Sequence, residues 1–422
     1  MLKMKYSLSA NSLYGNTPVV IDLPEKWKVH TCSYAGEKYP ALSTEEIRAT
    51  IRHAGMREKA EGCKTAVIII DDMTRPTPCG DIAEVVIEEL LLAGVPERGI
   101  SFVGAVGMHR AMSREDFVRK LGEKLVRRFP TYSHNPFFNT VQLGICSHGI
   151  PIELNAECVR AEFKVGIGAM FGHPNTGISG GGKLIVPGIS SAETIRRFHL
   201  TPREKWNMGL MARQITIEAA EMLGLDFKLD TLLNGEGKAA KLYVGDCRSN
   251  IEDHVEEIHS FFRAERPESA DVVIANNYFK PSEANVVLNY PEFFELIRPG
   301  GDLIVSTHSP MGAATHYMFG KWGNSGIGGL GYHGESGVPE CVGRYFAFSH
   351  YIDPGTSLQY HFSPDDPRFN WADNWEIIVE KIGDGEKDVL ILPYAGVPYF
   401  DPPIDVGSVP TLFIGNDGFV KE

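Results

Sequence analysis

Apolar and polar positions along this chain alternate between short unbroken runs and longer stretches with helical spacing. Thr65-Ala-Val-Ile-Ile-Ile70 is an apolar run of strand length, the pattern of a strand covered on both faces in a parallel sheet. Residues 81–92 then carry apolar side chains at helical intervals, and Gly94 marks a stop. The rhythm repeats with strands at 100–106, 162–169 and 241–246 and helices at 192–198, 205–223 and 251–263. Leu184-Ile-Val-Pro187-Gly188 reads as a short strand ended by a turn. A polar segment with a proline, 264–270, reads as a crossing. Beyond it come strands at 271–275, 302–306 and 389–392, and a last one at 411–414 that could join either side. Strands alternating with helices on both sides of a crossing predict an α/β protein of two doubly wound α/β domains separated by an active-site cleft. The boundaries expected are 1–266 for a catalytic and cofactor-binding domain, with the tail 405–422 as a candidate addition, and 267–404 for a substrate-capping domain.

Polar groups gather where these strands end, which is where open α/β sheets bind ligands. Asp71-Asp72-Met73-Thr74-Arg75-Pro76-Thr77-Pro78 follows the first run, with an acceptor, a hydroxyl and a guanidinium fork on a proline-stiffened loop. Gly107-Met108-His109-Arg110 follows the second strand, and Ser113 with Asp116 three residues on predicts a capped helix start. The densest cluster is His173-Pro-Asn-Thr-Gly-Ile-Ser-Gly-Gly-Gly-Lys183, with His199 farther on. Consecutive glycines let backbone press against a large ligand, and a lysine beside them serves as a phosphate counter-charge or a nucleophilic amine. Gly177 to Lys183 fits part of a P-loop, but Leu184 stands where Mg²⁺ binding needs Ser or Thr, and no helix is expected to follow.

In motif and spacing the chain resembles the nickel-pincer-nucleotide lactate racemases and their 2-hydroxy acid relatives. The resemblance rests on Asp72-x-Thr74-Arg75-Pro76, Gly107-Met108-His109-Arg110, His173, Ser179-Gly-Gly-Gly-Lys183, Pro187-Gly188 and His199, and covers about the first 200 residues. It implies a racemase or epimerase with a nickel pincer nucleotide, a pyridinium mononucleotide with two sulfur-bearing arms. Lys183 would carry that cofactor covalently, His199 would be the protein ligand to nickel, and Asp72, Met73, Thr74 and Arg75 would line the nucleotide. His109 and His173 would be the two acid/base residues, one on each side of the substrate. Histidine suits that task because its ordinary pKa lies near neutrality. Proteins that build the cofactor would be transient partners. Two other readings stay open: a non-catalytic cofactor carrier or sensor, and a conventional nucleotide-dependent dehydrogenase, although no G-x-G-x-x-G follows the first strand.

The second domain departs from the lactate-specific members. Where those carry a Tyr-Gln pair and then Lys, this chain aligns Val287-Leu288 and Pro291, and Met73 stands where they tend to have His. The substrate is therefore expected to be a 2-hydroxy acid other than lactate, its carboxylate held by Lys280, Lys321 or Arg344, with His308 as a further contact just past a strand end. His30, His53, His134, His148, His254 and His259 read as surface or core polar groups. Composition adds little more. The 422 residues are 43% hydrophobic, enough for a sizeable core, and 41 basic against 54 acidic residues give a net charge of −13, which argues against a nucleic-acid partner. No apolar stretch is long enough to span a bilayer, and seven cysteines without metal-type pairing read as reduced thiols of a cytoplasmic protein. Cys79 reads as a small buried hydrophobe.

Overall fold

The two longest apolar runs become central strands of two six-stranded sheets. The computed structural model describes residues 4–15, 17–173, 177–199, 208–283, 292–312, 314, 338–351 and 366–401. Its contacts divide the chain into two units, Gly36–Phe261 and Met1–Ala35 with Phe262–Glu422.

In the Gly36–Phe261 unit the strand order is Ala239–Gly245, Phe227–Leu233, Phe163–Ala169, Ala66–Asp71, Ile100–Ala105, Thr131–Ser133. All neighbours are parallel except the first pair. Successive residues of the Ala66–Asp71 strand serve opposite faces. Ile68 and Ile70 pack with Ile82, Val86 and Leu90 of helix Cys79–Leu92, whereas Val67 and Ile69 share a cluster with Ile215 and Ala219 of helix Met208–Leu223. Burial on both faces explains why the run is apolar without alternation. The chain runs outward from Ala66–Asp71 in one direction, then returns to add Phe163–Ala169 on the other side. The topological switch point lies between those two strands, so their carboxyl ends mark the expected ligand position.

In the other unit the order is Phe369–Ala372, Val342–Phe348, Ile297–Ser306, Ala270–Asn276, Lys387–Leu392, Trp27–Thr31, all parallel. Here the structure corrects the expected boundary. The first 35 residues do not belong with the unit that follows them in sequence. Val29 pairs with Val389 at the sheet edge, and Leu8, Val19, Ile21 and Leu23 of the hairpin Met4–Leu8/Val19–Leu23 pack with Val272 and Ile274. Apolar residues on one side of that hairpin cover one face of the second sheet. The tail 405–422 and the strand expected at 411–414 lie outside the described residues.

Most other expected elements are present with shifted ends. The helix expected over 251–263 is two, Ser249–Glu252 and Val255–Phe262, because Asp246 accepts from the backbone of Arg248 and Ser249 and starts a separate short turn. The strand expected over 184–188 is absent. Ile185 and Val186 donate their N–H groups to Gly182, and Gly188 donates to Lys183, so the backbone is satisfied inside a 3₁₀ turn, Gly181–Leu184, and the coil after it. Ser113 and Asp116 form the expected capping box at the head of helix Arg114–Leu121. No described helix is long and apolar enough to cross a membrane.

Candidate active site

Asp71 and Asp72, adjacent in sequence, have separate tasks. Asp71 accepts from Lys120 Nζ at 2.5 Å, from the Thr77 hydroxyl and from the Cys79 thiol. Lys120 comes from helix Arg114–Leu121 with its side chain fully buried, and also donates to the carbonyls of Arg75 at 2.9 Å and Thr77 at 3.3 Å. Burial works against its charge, but Asp71 outweighs that and holds the ammonium above its ordinary pKa. One buried ion pair thus staples the loop that follows the strand. Cys79 is the buried small group expected, its thiol pushed up to about 12 by burial.

Asp72 faces the next loop. Its Oδ2 lies 2.7 Å from His109 Nδ1, and its Oδ1 accepts from the Thr74 backbone at 3.0 Å and the Thr74 hydroxyl at 2.5 Å. Arg75 in turn donates to Thr74 Oγ1 at 2.8 Å. Burial raises the Asp72 pKa, yet His109, Arg75 and the Thr74 hydroxyl together bring it down to about 2. The carboxylate is therefore ionised at neutral pH and can only accept, so His109 Nδ1 carries the proton and Nε2 is the basic nitrogen of the neutral ring. This pairing gives Asp72 a role other than lining a nucleotide. Arg110 makes a two-pronged ion pair with Asp116, at 2.8 and 3.0 Å, that fixes the far end of the same loop.

The loops converge as the strand-end logic requires. Gly107 N–H donates to Gly188 O at 2.9 Å, joining the His109 loop to the segment just after Lys183. Lys183, half-buried, sits in the 3₁₀ turn Gly181–Leu184. Gly172–His173 pairs with Gly177–Ile178, which places the His173 backbone at the head of the glycine-rich segment. His199 ends helix Ala192–His199, and its Nδ1 lies 2.8 Å from the Ile195 carbonyl. A carbonyl only accepts, so that nitrogen holds the proton and Nε2 keeps the lone pair a metal needs.

The glycines also fit the turn closely against the protein's own interior. A Cβ on Gly180 would sit 2.6 Å from Met170 Cγ and 2.9 Å from Asp230 Oδ1, and one on Gly182 would sit 2.2 Å from the Thr216 carbonyl oxygen. Gly180 and Gly181 have φ of +95° and +51°. The protein's own backbone and side chains press on these residues, which requires them to be small whatever ligand the turn meets. Gly182→Ala is expected to push the turn off helix Met208–Leu223 at a cost of about 1–3 kcal/mol, measured by urea denaturation; unchanged stability would show that the turn yields freely.

A second buried ion pair lies under this turn and has no counterpart in the sequence reading. Lys228 Nζ donates to Asp230 Oδ1 at 2.6 Å and to the Leu229 carbonyl at 2.9 Å, with both side chains fully buried. Asp230 also accepts from Gly181 N–H at 3.0 Å and Asn250 Nδ2 at 3.1 Å. The Lys228 stem crosses the neighbouring strand at Gly166 and Gly168, where a Cβ would lie 3.0 Å from Lys228 Cδ and 3.2 Å from its Nζ. The legible signal was that Gly-x-Gly inside an apolar strand, which marks a close approach. His134, as expected, is a core group: it bonds Ser190 O at 2.8 Å and Asn155 Nδ2 at 3.1 Å, and burial lowers its pKa to about 4.

In the second unit the loop at 277–283 and the one after Ile297–Ser306 lie together: the Thr307 hydroxyl donates to Pro281 O, and Ala314 N–H donates to Ser282 O at 2.6 Å. Lys280 and His308 are both buried there. Among the described residues, His308 Nδ1, Ser282 Oγ and Ser309 Oγ are buried without a hydrogen-bond partner. Burial, with His350 adding to it, lowers the His308 pKa to about 3. Unsatisfied polar atoms at strand ends suit a polar ligand. Arg344 does not fit the substrate role expected of it. It forms a two-pronged pair with Asp302, at 2.7 and 2.8 Å, across the register of two strands and short of their carboxyl ends. Lys321, Val287, Leu288 and Pro291 lie outside the described residues.

Comparison with known proteins bears on both units. Residues 14–210 match the family described as lactate racemase N-terminal domain. The chain is 28% identical over 295 residues to the lactate racemase of Thermoanaerobacterium thermosaccharolyticum, covering 65% of this chain and 67% of that one. It is 27% identical over 298 residues to the lactate racemase of Lactiplantibacillus plantarum, covering 64% and 69%. The structure of the lactate racemase apoprotein from Thermoanaerobacterium thermosaccharolyticum superimposes with a TM-score of 0.65 at 18% identity, over 94% of this chain and 100% of that one. A Thermotoga maritima protein of known structure gives 0.62 at 19% identity, over 87% and 99%.

Proposed function

We propose that the chain, which matches the lactate racemase N-terminal domain family over residues 14–210, is a racemase or epimerase inverting the carbinol centre of a 2-hydroxy acid. The observation that carries the reading is the pairing of buried Asp72 with half-buried His109 at 2.7 Å. An imidazole held by an ionised carboxylate accepts a hydroxyl proton at Nε2, and Asp72 then stabilises the imidazolium. A second base is needed on the opposite side of the substrate, and His173 is the residue proposed for it. Within their own unit, buried Lys280 and the polar atoms of Ser282, His308 and Ser309 are proposed as contacts for a polar ligand group.

The donor set fits a nickel pincer nucleotide. His199 presents a lone pair at Nε2 because Ile195 holds the proton at Nδ1, and imidazole is a good donor to square-planar Ni(II). Lys183 is proposed as the covalent attachment point, and loading would require the proteins that build the cofactor. When bound, that group supplies an electrophilic pyridinium ring able to take up hydride. The protein's own share is to orient the hydroxyl and move its proton.

The test is protein co-expressed with the cofactor-building enzymes, checked by intact mass and nickel content, then given single enantiomers of 2-hydroxy acids and followed by chiral chromatography. Inversion of at least one acid is expected, with the mass adduct lost in Lys183→Ala. A loaded protein that inverts none of a broad panel would move the reading to a cofactor carrier. Absence of any adduct would remove the cofactor assignment.

A further inference from the structure

Cys146, His148 and Glu218 stand apart from the candidate active site, and each offers a metal-ligating atom within 4.8 Å of the other two. Cys146 and His148 flank Ser147 at the tip of the hairpin Thr140–Ile145/Pro151–Asn155. The tip is a tight turn, with Gly149 N–H donating to Cys146 O at 2.9 Å and Gly149 at φ +77°. Glu218 comes from helix Met208–Leu223. Ser147 ties the two elements together: its N–H and hydroxyl donate to the two Glu218 oxygens at 2.8 and 2.7 Å. That hydroxyl also lies 3.0 Å from His148 Nδ1. Having given its proton to the carboxylate, it accepts from the ring, which leaves the neutral imidazole with a lone pair at Nε2. The cysteine is a free thiol, buried against the turn.

Pinning the hairpin to the helix needs only Ser147 and Glu218. It does not explain a thiol and an imidazole converging on the same carboxylate. Tetrahedral bonds of about 2.0–2.3 Å place donor atoms roughly 3.3–3.8 Å apart, so side-chain rotation closes the present spacing. Thiolate, imidazole and carboxylate together select a borderline ion of the zinc class and leave a fourth position for water.

We propose that Cys146, His148 and Glu218 form a divalent-cation site of the zinc class, separate from the proposed nickel centre. The site clamps the hairpin to the helix whose Thr216 carbonyl backs Gly182, two residues from Glu218 and next to Lys183. Metal bound there braces the turn that carries the lysine.

The experiment uses the full chain expressed without the cofactor-building enzymes and stripped of metal, titrated with Co²⁺ alone and then Zn²⁺ alone. One equivalent of Co²⁺ is expected to bind with a thiolate-to-cobalt charge-transfer band, displaced by Zn²⁺. Cys146→Ser should abolish the band, and His148→Ala, an exposed change that the fold tolerates, should weaken binding by at least tenfold. His199→Ala should leave the band intact, which separates this site from the proposed nickel ligand. No thiolate band, a band that survives Cys146→Ser, or affinity unaltered by His148→Ala would overturn the three-donor site. Loss of the band in His199→Ala would show that the ion belongs to the other centre.

Discussion

His109→Ala in cofactor-loaded protein is expected to lower turnover by roughly 10²–10⁴-fold, the usual contribution of a positioned acid/base group. The intact-mass adduct and nickel content should not change, because the proposed attachment point and nickel ligand are Lys183 and His199. Asp72→Asn is expected to lose on the order of 10² in kcat within that range, with KM little altered. An amide keeps a hydrogen-bonding oxygen near His109 Nδ1 but has no charge to stabilise the imidazolium. The carboxylate itself sets no limb of the rate profile near neutrality, since its pKa is about 2. Its sign in stability is that of a depressed acid: the contribution is complete above an unfolded value near ~4 and is lost as pH falls through about 2. Asp72→Asn turning over at the wild-type rate would remove the dyad from the mechanism, whatever happened to His109→Ala.

Lys228→Met is expected to destabilise the Gly36–Phe261 unit by about 3–5 kcal/mol, because it strands a buried carboxylate. Asp230 would then face only the Gly181 N–H and the Asn250 amide, both neutral donors. For a unit of this size the melting temperature should fall by roughly 10 °C. The double variant Lys228→Met/Asp230→Leu should recover part of that loss but not all, since Gly181 N–H loses its acceptor. A thermal melt within a degree of wild type for Lys228→Met would mean that water reaches the pair and that burial is not what constrains it.

What could be read from sequence depended on whether one residue's neighbours along the chain were also its neighbours in space. Residues 66–70 and 272–275 are apolar at every position because both faces of their strands are covered, and that is visible without a fold. The Ser113–Asp116 cap is local and was legible for the same reason. Trp27–Thr31 was not. It is an edge strand, only half apolar, and its partner is hundreds of residues away. Asp72 and His109 could each be singled out from motifs, but the bond between them arises where two strand ends meet. Lys120 and Lys228 carry no signal of their burial, since nothing in their local sequence announces Asp71 or a pair of glycines in the next strand. The glycine-rich segment stands out in sequence, but what crowds it does not: the Thr216 carbonyl and Asp230 are both distant along the chain.

The pairing of Trp27–Thr31 with Lys387–Leu392 has a consequence for how the chain is made. The strand leaves the ribosome before the Gly36–Phe261 unit, and its partner follows only after that whole unit has been synthesised. At about 5–20 residues per second the wait is some tens of seconds. A fully apolar strand would be a hazard over that interval. This one reads Trp-Lys-Val-His-Thr, with charge or polarity at every second position. Such a segment stays in solution alone and resists self-pairing until synthesis of Lys387–Leu392 supplies its neighbour.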